Sequence, residues 1–258
     1  MWRHIAHSLQ GSFHTAKGGS CQDSNRVEVL GAESNGTLIA CVADGAGSAK
    51  HSEEGSKLAC DSIVQSAISY LESNDSFDEF DEEVALRWCD ESRMAIQRDA
   101  DGRNCKVREL ATTLCVAILS QGRSIFFQIG DGAIVLENNG IYGVVFWPQS
   151  GEYANSTNFL TAENYQQHLE FSTAQDCFSG VALLTDGLER LALLFESETP
   201  HPPFFDPLFK ALRKTDDLES LGLELHRFLQ SESVESRSDD DKTLILVAKH
   251  SQGVGSND

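Results

Sequence analysis

Five carboxylate positions stand at the ends of apolar, strand-like runs, and this pattern limits the possible folds of the chain more than any other feature. They are Asp23 in CQDS, Asp44 in VADGAG, Asp131 in QIGDG, Asp186 in LLTDG, and the acidic run 239–241 before TLILV. One Asp-Gly alone most often marks a hairpin turn, and Asp101-Gly102 is read as only that. The joint pattern says more, because carboxylates gathered at the ends of core strands repel one another severely unless cations compensate them. A glycine directly after the carboxylate turns the chain sharply and leaves its own carbonyl open, so a pair such as Asp44-Gly45 can offer a cation two oxygens. Carboxylate, carbonyl and water ligands favour magnesium, manganese or calcium. Zinc prefers His and Cys sets, and no such spacing motif is present.

Around these positions the apolar pattern alternates between two periods. Residues 37–42 form a buried strand ending at Asp44-Gly45. From 53 to about 71 the apolar residues Leu58, Ala59, Ile63, Ala67, Ile68 and Leu71 recur near the helical period, with Glu53 and Glu54 in the first turn. A second helix follows the acidic run 78–83 and extends through Ile96. Runs at 111–119, 124–129, 133–136 and 141–146 suggest an antiparallel meander. Residues 147–180 give no clear pattern. VALL at 181–184 then leads through Thr185-Asp186-Gly187 into an apolar helix, LERLALLF. The Pro-rich stretch 200–207 is expected to be a loop, residues 218–229 a helix, and LILV a last central strand.

The chain has 258 residues, which suits one domain over 1–250 with a frayed tail at 251–258. Forty acidic against twenty basic residues give a formal charge of -20, which argues against nucleic acid and anionic membrane as partners. No stretch approaches the roughly eighteen apolar residues of a membrane span, and the start has no signal-like apolar region. A cytoplasmic, monomeric protein is the expectation. The seven cysteines are scattered and odd in number, which reads as buried free thiols rather than a disulfide framework.

Taken in order, CQDS, VADGAG, ATTL, IGDG, LLTDG and DDDKT closely resemble the motif series of the metal-dependent protein phosphatases, the protein phosphatase 2C family, over about residues 10–248. His14 upstream of CQDS, the VADGAGS run, GEYAN at 151–155 and DDDKT resemble its atypical bacterial branch. The resemblance implies an α+β fold, a four-layer αββα sandwich with two central antiparallel sheets, helix pairs outside and a dinuclear metal site in the cleft. It implies hydrolysis of phosphoserine and phosphothreonine in a phosphorylated protein substrate by a water that bridges two divalent cations, Mn2+ or Mg2+. Asp44 matches the bridging carboxylate, Gly45 the carbonyl ligand, and Asp186 and Asp240 ligands of one cation. Asp23 matches an acidic residue that binds metal through water, and Asp131 a position holding a third, weaker cation where one occurs.

Three departures from the family pattern matter. Gln22 stands where Glu is usual, Gly18 stands at the position of the phosphate-clamping Arg, and Ala46 replaces a larger residue. Lys17 or His14 could contact the phosphate, and His14 or His51 could protonate the leaving oxygen, since His suits proton transfer near neutral pH. For each of these an uninvolved surface position is an equal reading. Aligning Thr243 with the family's hydroxyl residue selects Asp240 as ligand, with Asp241 one position away. Tyr153 and Asn155 fall where the family has a substrate flap. The rival to an active phosphatase is a catalytically impaired member that binds phosphoprotein or partner surfaces.

Overall fold

The computed structural model describes residues 2–31, 36–149, 157–175 and 178–249. Two five-stranded antiparallel sheets form its centre. One has the order β1-β12-β9-β6-β7, built from β1 (Trp2–Leu9), β12 (Lys242–Lys249), β9 (Gly180–Leu184), β6 (Ala133–Asn138) and β7 (Ile141–Val144). The other has the order β2-β3-β4-β5-β8, built from β2 (Ser24–Leu30), β3 (Thr37–Ala43), β4 (Leu114–Leu119), β5 (Ser124–Ile129) and β8 (Glu170–Ala174).

The layering follows from side-chain alternation, since successive residues of a strand point to opposite faces. In β3, Ile39, Cys41 and Ala43 pack into a core with α2 (Ser52–Ser73) and α3 (Glu82–Arg103), whereas Leu38, Ala40 and Val42 enter the core between the sheets. In β12, Leu244, Leu246 and Ala248 face α5 (Pro202–Lys214) and α6 (Leu218–Leu229), while Ile245 and Val247 meet the residues from β3 and β4. Three apolar cores therefore separate four layers, helices-sheet-sheet-helices, as the sequence implied. Smaller helices are α1 (Ser12–Ala16), α4 (Glu189–Ala192) and α7 (Glu232–Glu235), and a two-residue ribbon joins β10 (Leu193–Leu194) to β11 (Thr199–Pro200).

Four expectations are corrected. The meander is split: β4 and β5 pair in one sheet, β6 and β7 in the other, and the chain crosses between them at Gly130-Asp131-Gly132. Gly130 has φ +116, and a Cβ there would meet the Thr113 side chain at 2.6 Å, so only glycine permits this crossing. The Pro-rich stretch is helical, because Pro202 and Pro203 occupy the first turn, where an amide hydrogen has no intrahelical acceptor. Phe204, Phe205, Phe209 and Leu212 then bury one face of that helix, which carries it past Pro207. LERLALLF makes a single helical turn before β10. Asp101-Gly102 lies in the last turn of α3, which ends at left-handed Asn104 rather than in a hairpin. The strands β1 and β2 had no counterpart in the sequence reading. Residues 251–258 lie outside the described residues.

No helix among the described residues is long and apolar enough to cross a membrane. The six described cysteines are free. Between β1 and α6 the ring nitrogens of His7 and His226 are in contact. Burial first, and the charge of His226 second, lower the His7 pKa from 6.5. A base with a depressed folded pKa contributes stability that is lost as pH falls below its unfolded value. We expect the melting temperature to decline as pH drops from about 7.5 through about 6, and His226→Asn to make that decline shallower. A scan series of both proteins across this window checks it; identical slopes would count against the coupling.

Candidate metal centre

Asp44 is the first residue after β3, and its backbone is tied on both sides to the start of β4. Its N–H donates to Thr113 Oγ1 at 2.9 Å, and its carbonyl accepts from Thr113 N–H at 2.8 Å and Thr112 Oγ1 at 3.0 Å. This is the work of the ATTL motif. Gly45 N–H donates to the Gln22 carbonyl at 3.1 Å, which joins the loop after β3 to the segment before β2. Asp186 opens the turn after β9, and Asp131 sits at the sheet-to-sheet crossing. Carboxylate oxygens of Asp44, Asp131 and Asp186 lie within 4.8 Å of one another.

Asp23 is buried behind this group. Its Oδ2 accepts from Thr185 Oγ1 at 2.7 Å and Thr243 Oγ1 at 2.8 Å. Its Oδ1 has no hydrogen-bond partner, and neither do Asp131 Oδ1 and Gln22 Oε1, though all three atoms are buried. Unpartnered buried oxygens are costly. The electrostatics agree: burial, followed by the charges of Asp23, Asp186, Asp131 and Asp240, raises the Asp44 pKa well above its ordinary value. Burial and then Asp131, Asp23 and Asp240 push Asp186 up to about 8, and burial chiefly pushes Asp23 up to about 7. Burial also raises Asp131, against a hydrogen bond from Thr157. Hard oxygen donors, orphaned lone pairs and mutual repulsion together fit a site for divalent cations.

The two adjacent aspartates before β12 differ in surroundings. Asp241 is buried and accepts from Gly11 N–H at 2.7 Å, Gln22 N–H at 2.5 Å and His14 Nδ1 at 2.8 Å. Its oxygens are thus taken by the amino-terminal segment. Asp240 is exposed, and its charge is felt at Asp44, Asp131 and Asp186. The fully buried Lys242 fixes its backbone by donating to the Asp240 carbonyl and to Glu235 Oε1, each at 2.8 Å. Gly187 lies so close to this run that a Cβ would meet the Asp241 carbonyl at 1.8 Å. The close approach brings the Asp186 turn against 240–241.

His14 is buried in α1 with its Nδ1 on Asp241, and a Cβ at Gly47 would lie 3.7 Å from its Nε2. Lys17 is exposed, with its ammonium over the Phe13 ring at 3.6 Å. His51 caps α2 and groups with Cys105 and Glu109 instead. Tyr153 and Asn155 lie outside the described residues. Sequence reasoning missed the Asp241 anchor and a cavity of about 180 Å³ in which Arg190 and Arg237 join Asp186, Glu189, Asp239 and Asp240. The bare Arg residues carry no motif, so only the fold could find them.

The sequence matches the description of the protein phosphatase 2C family over residues 10–230. It is 34% identical over 251 residues to serine/threonine-protein phosphatase 3 of Escherichia coli (strain K12), covering 95% of this chain and 98% of that protein. The fold is similar to that of the serine/threonine phosphatase Stp1 from Staphylococcus aureus, with a TM-score of 0.66 at 15% identity over 97% of this chain and 96% of that one. It is also similar to the catalytic domain of the serine threonine protein phosphatase PstP, solved in complex with two manganese ions, with a TM-score of 0.62 at 14% identity over 97% and 99%. With the acidic cluster seated between two such sheets, the chain belongs to the protein phosphatase 2C family of serine/threonine protein phosphatases.

Proposed function

We propose that the chain hydrolyses phosphoserine and phosphothreonine in proteins with the help of two divalent cations, Mn2+ or Mg2+. The observation that carries this reading is the cluster of Asp44, Asp131 and Asp186, whose raised pKa values and orphaned neighbouring oxygens mark it as incomplete without positive charge. Asp44, the Gly45 carbonyl, Asp186 and Asp240 would hold the two cations, Asp23 would act through water, and Asp131 would hold a third, weaker one. Bound cations supply a water activated at neutral pH and neutralise charge on the phosphoryl oxygens.

The chain's own groups do the rest. Thr185 and Thr243 fix one oxygen of Asp23 and leave the other buried and unpartnered. Asp241 holds the His14 imidazole through Nδ1, which leaves Nε2 to give a proton to the departing serine or threonine oxygen. In place of the family's missing Arg, Arg190 and Arg237 at the cavity rim, with Lys17, supply positive charge for the phosphate and its flanking peptide. The impaired, binding-only reading lacks support, because a buried like-charge cluster is costly to keep without compensating cations. Free thiols throughout the described residues support action in a reducing compartment, the cytoplasm.

Two outcomes test this. Metal-stripped protein should release phosphate from a phosphothreonine peptide only on adding manganese or magnesium, and Asp44→Asn and Asp186→Asn should each lower kcat/KM by about 10³-fold or more. The same substitutions should raise the melting temperature of the metal-free protein by about 2–4 °C, because they remove one repelling charge. Metal binding without phosphate release from several phosphopeptides would favour the binding module, and absence of metal binding would overturn the site. Separately, His14→Ala should lower kcat about 10²-fold on the phosphothreonine peptide and far less on an aryl phosphate, whose leaving group needs no proton. An equal loss on both substrates would show that His14 is not the acid.

A further inference from the structure

Away from the aspartate cluster, His51, Cys105 and Glu109 arrive from three separate elements. A ring nitrogen, the thiol sulfur and a carboxylate oxygen all lie within 4.8 Å of one another, and all three residues are half-buried. His51 stands at the N-cap of α2 and donates its backbone N–H to the Glu109 carbonyl at 2.7 Å. Cys105 follows the left-handed residue that ends α3. Glu109 belongs to the 3-10 turn Val107–Leu110, with Oε1 accepting from Lys106 N–H at 3.2 Å. Among the described residues, neither the His51 imidazole nor the Cys105 thiol has a hydrogen-bond partner.

This donor set is unlike the active-site one. Nitrogen, sulfur and one carboxylate oxygen suit a borderline-soft ion in tetrahedral geometry, whereas the all-oxygen aspartate cluster suits a hard one. Ligands around a tetrahedral zinc stand roughly 3.5 Å apart, so small side-chain rotations close the set while the backbone stays in place. We infer that His51, Cys105 and Glu109 form a second metal site for a thiophilic divalent ion of the zinc class, separate from the aspartate centre.

Binding breaks the Cys105 S–H bond and releases that proton to solvent, and the thiolate and the Glu109 carboxylate together neutralise the dication. The ion clamps the start of α2 to the segment 105–112. The loop that leads into α2 is already tied to the same segment by the bond from Ala46 N–H to the Ala111 carbonyl at 2.9 Å, and Thr112 and Thr113 hold Asp44. The second ion thus braces the loop that carries Asp44 and Gly45, without touching substrate.

The test uses the full chain carrying Asp44→Asn and Asp186→Asn, stripped of metal and kept reduced by a phosphine. Cobalt(II) is titrated while thiolate-to-cobalt charge-transfer absorption is followed, and zinc is then added. The inference expects one equivalent of cobalt to give this absorption, zinc to remove it, and Cys105→Ser to abolish it. His51→Ala and Glu109→Gln should each weaken zinc binding at least about tenfold. No charge-transfer absorption in the starting protein, or the same absorption after Cys105→Ser, would overturn the site. If circular dichroism shows Cys105→Ser unfolded, the other two variants decide, and unchanged zinc affinity in both overturns the site.

Discussion

Mutual repulsion among buried carboxylates is the constraint around which the structure is organised. Asp44, Asp131 and Asp186 come from different strands of two different sheets, and each ends a run whose remaining residues are committed to apolar cores. Burial of those runs is what forces the charges together, at an energetic cost that hydrophobic packing must offset. The fold limits the damage by leaving no slack in the backbone. Thr112 and Thr113 hold Asp44, Thr185 and Thr243 hold Asp23, and Lys242 holds the carbonyl of Asp240. Each tie goes to a backbone group or to one carboxylate oxygen. The orphaned Oδ1 atoms of Asp23 and Asp131 are what those ties leave over.

Legibility in the sequence followed burial symmetry. β3, β4 and β9 are apolar on both faces because they lie inside a sheet with cores on either side, and such runs are visible without any partner. β1 and β2 are the edges of their sheets and carry half-buried Arg3, His4, His7 and Asn25 and exposed Arg26, so they gave no run to find. α6 was legible because its cap and its period agree: Asp217 accepts from Ser220 N–H, and Leu221, Leu225 and Leu229 share one face. α5 was obscured by prolines, although their position in the first turn is compatible with a helix. The split meander could not be read from spacing, because the decision to change sheets rests on Gly130 and its contact with Thr113.

The same distinction applies to the sites. Aspartates followed by glycine announce themselves, whereas in the acidic run the Thr243 register selects Asp240 and no sequence signal marks Asp241 as an anchor. Only its three partners from residues 11–22 separate it. His51, Cys105 and Glu109 form no motif at all, since their meeting depends on where α3 ends and how the 3-10 turn packs against α2.

The departures from the family pattern are linked through one place in the fold. Gly18 removes the expected Arg, Ala46 is small, and Gln22 replaces a charge. The segment containing Gly18 and Gln22 is pinned to Asp241, and the imidazole of His14 fills the space facing Gly47, next to Ala46. The backbone N–H of Gln22 donates to Asp241, and its side chain buries a neutral oxygen where Glu would bury a further negative charge. The segment from Gly11 to Gln22 has therefore exchanged a long cationic side chain for a histidine oriented by a buried carboxylate. That exchange holds together only because Asp241, alone of the three aspartates before β12, faces inward.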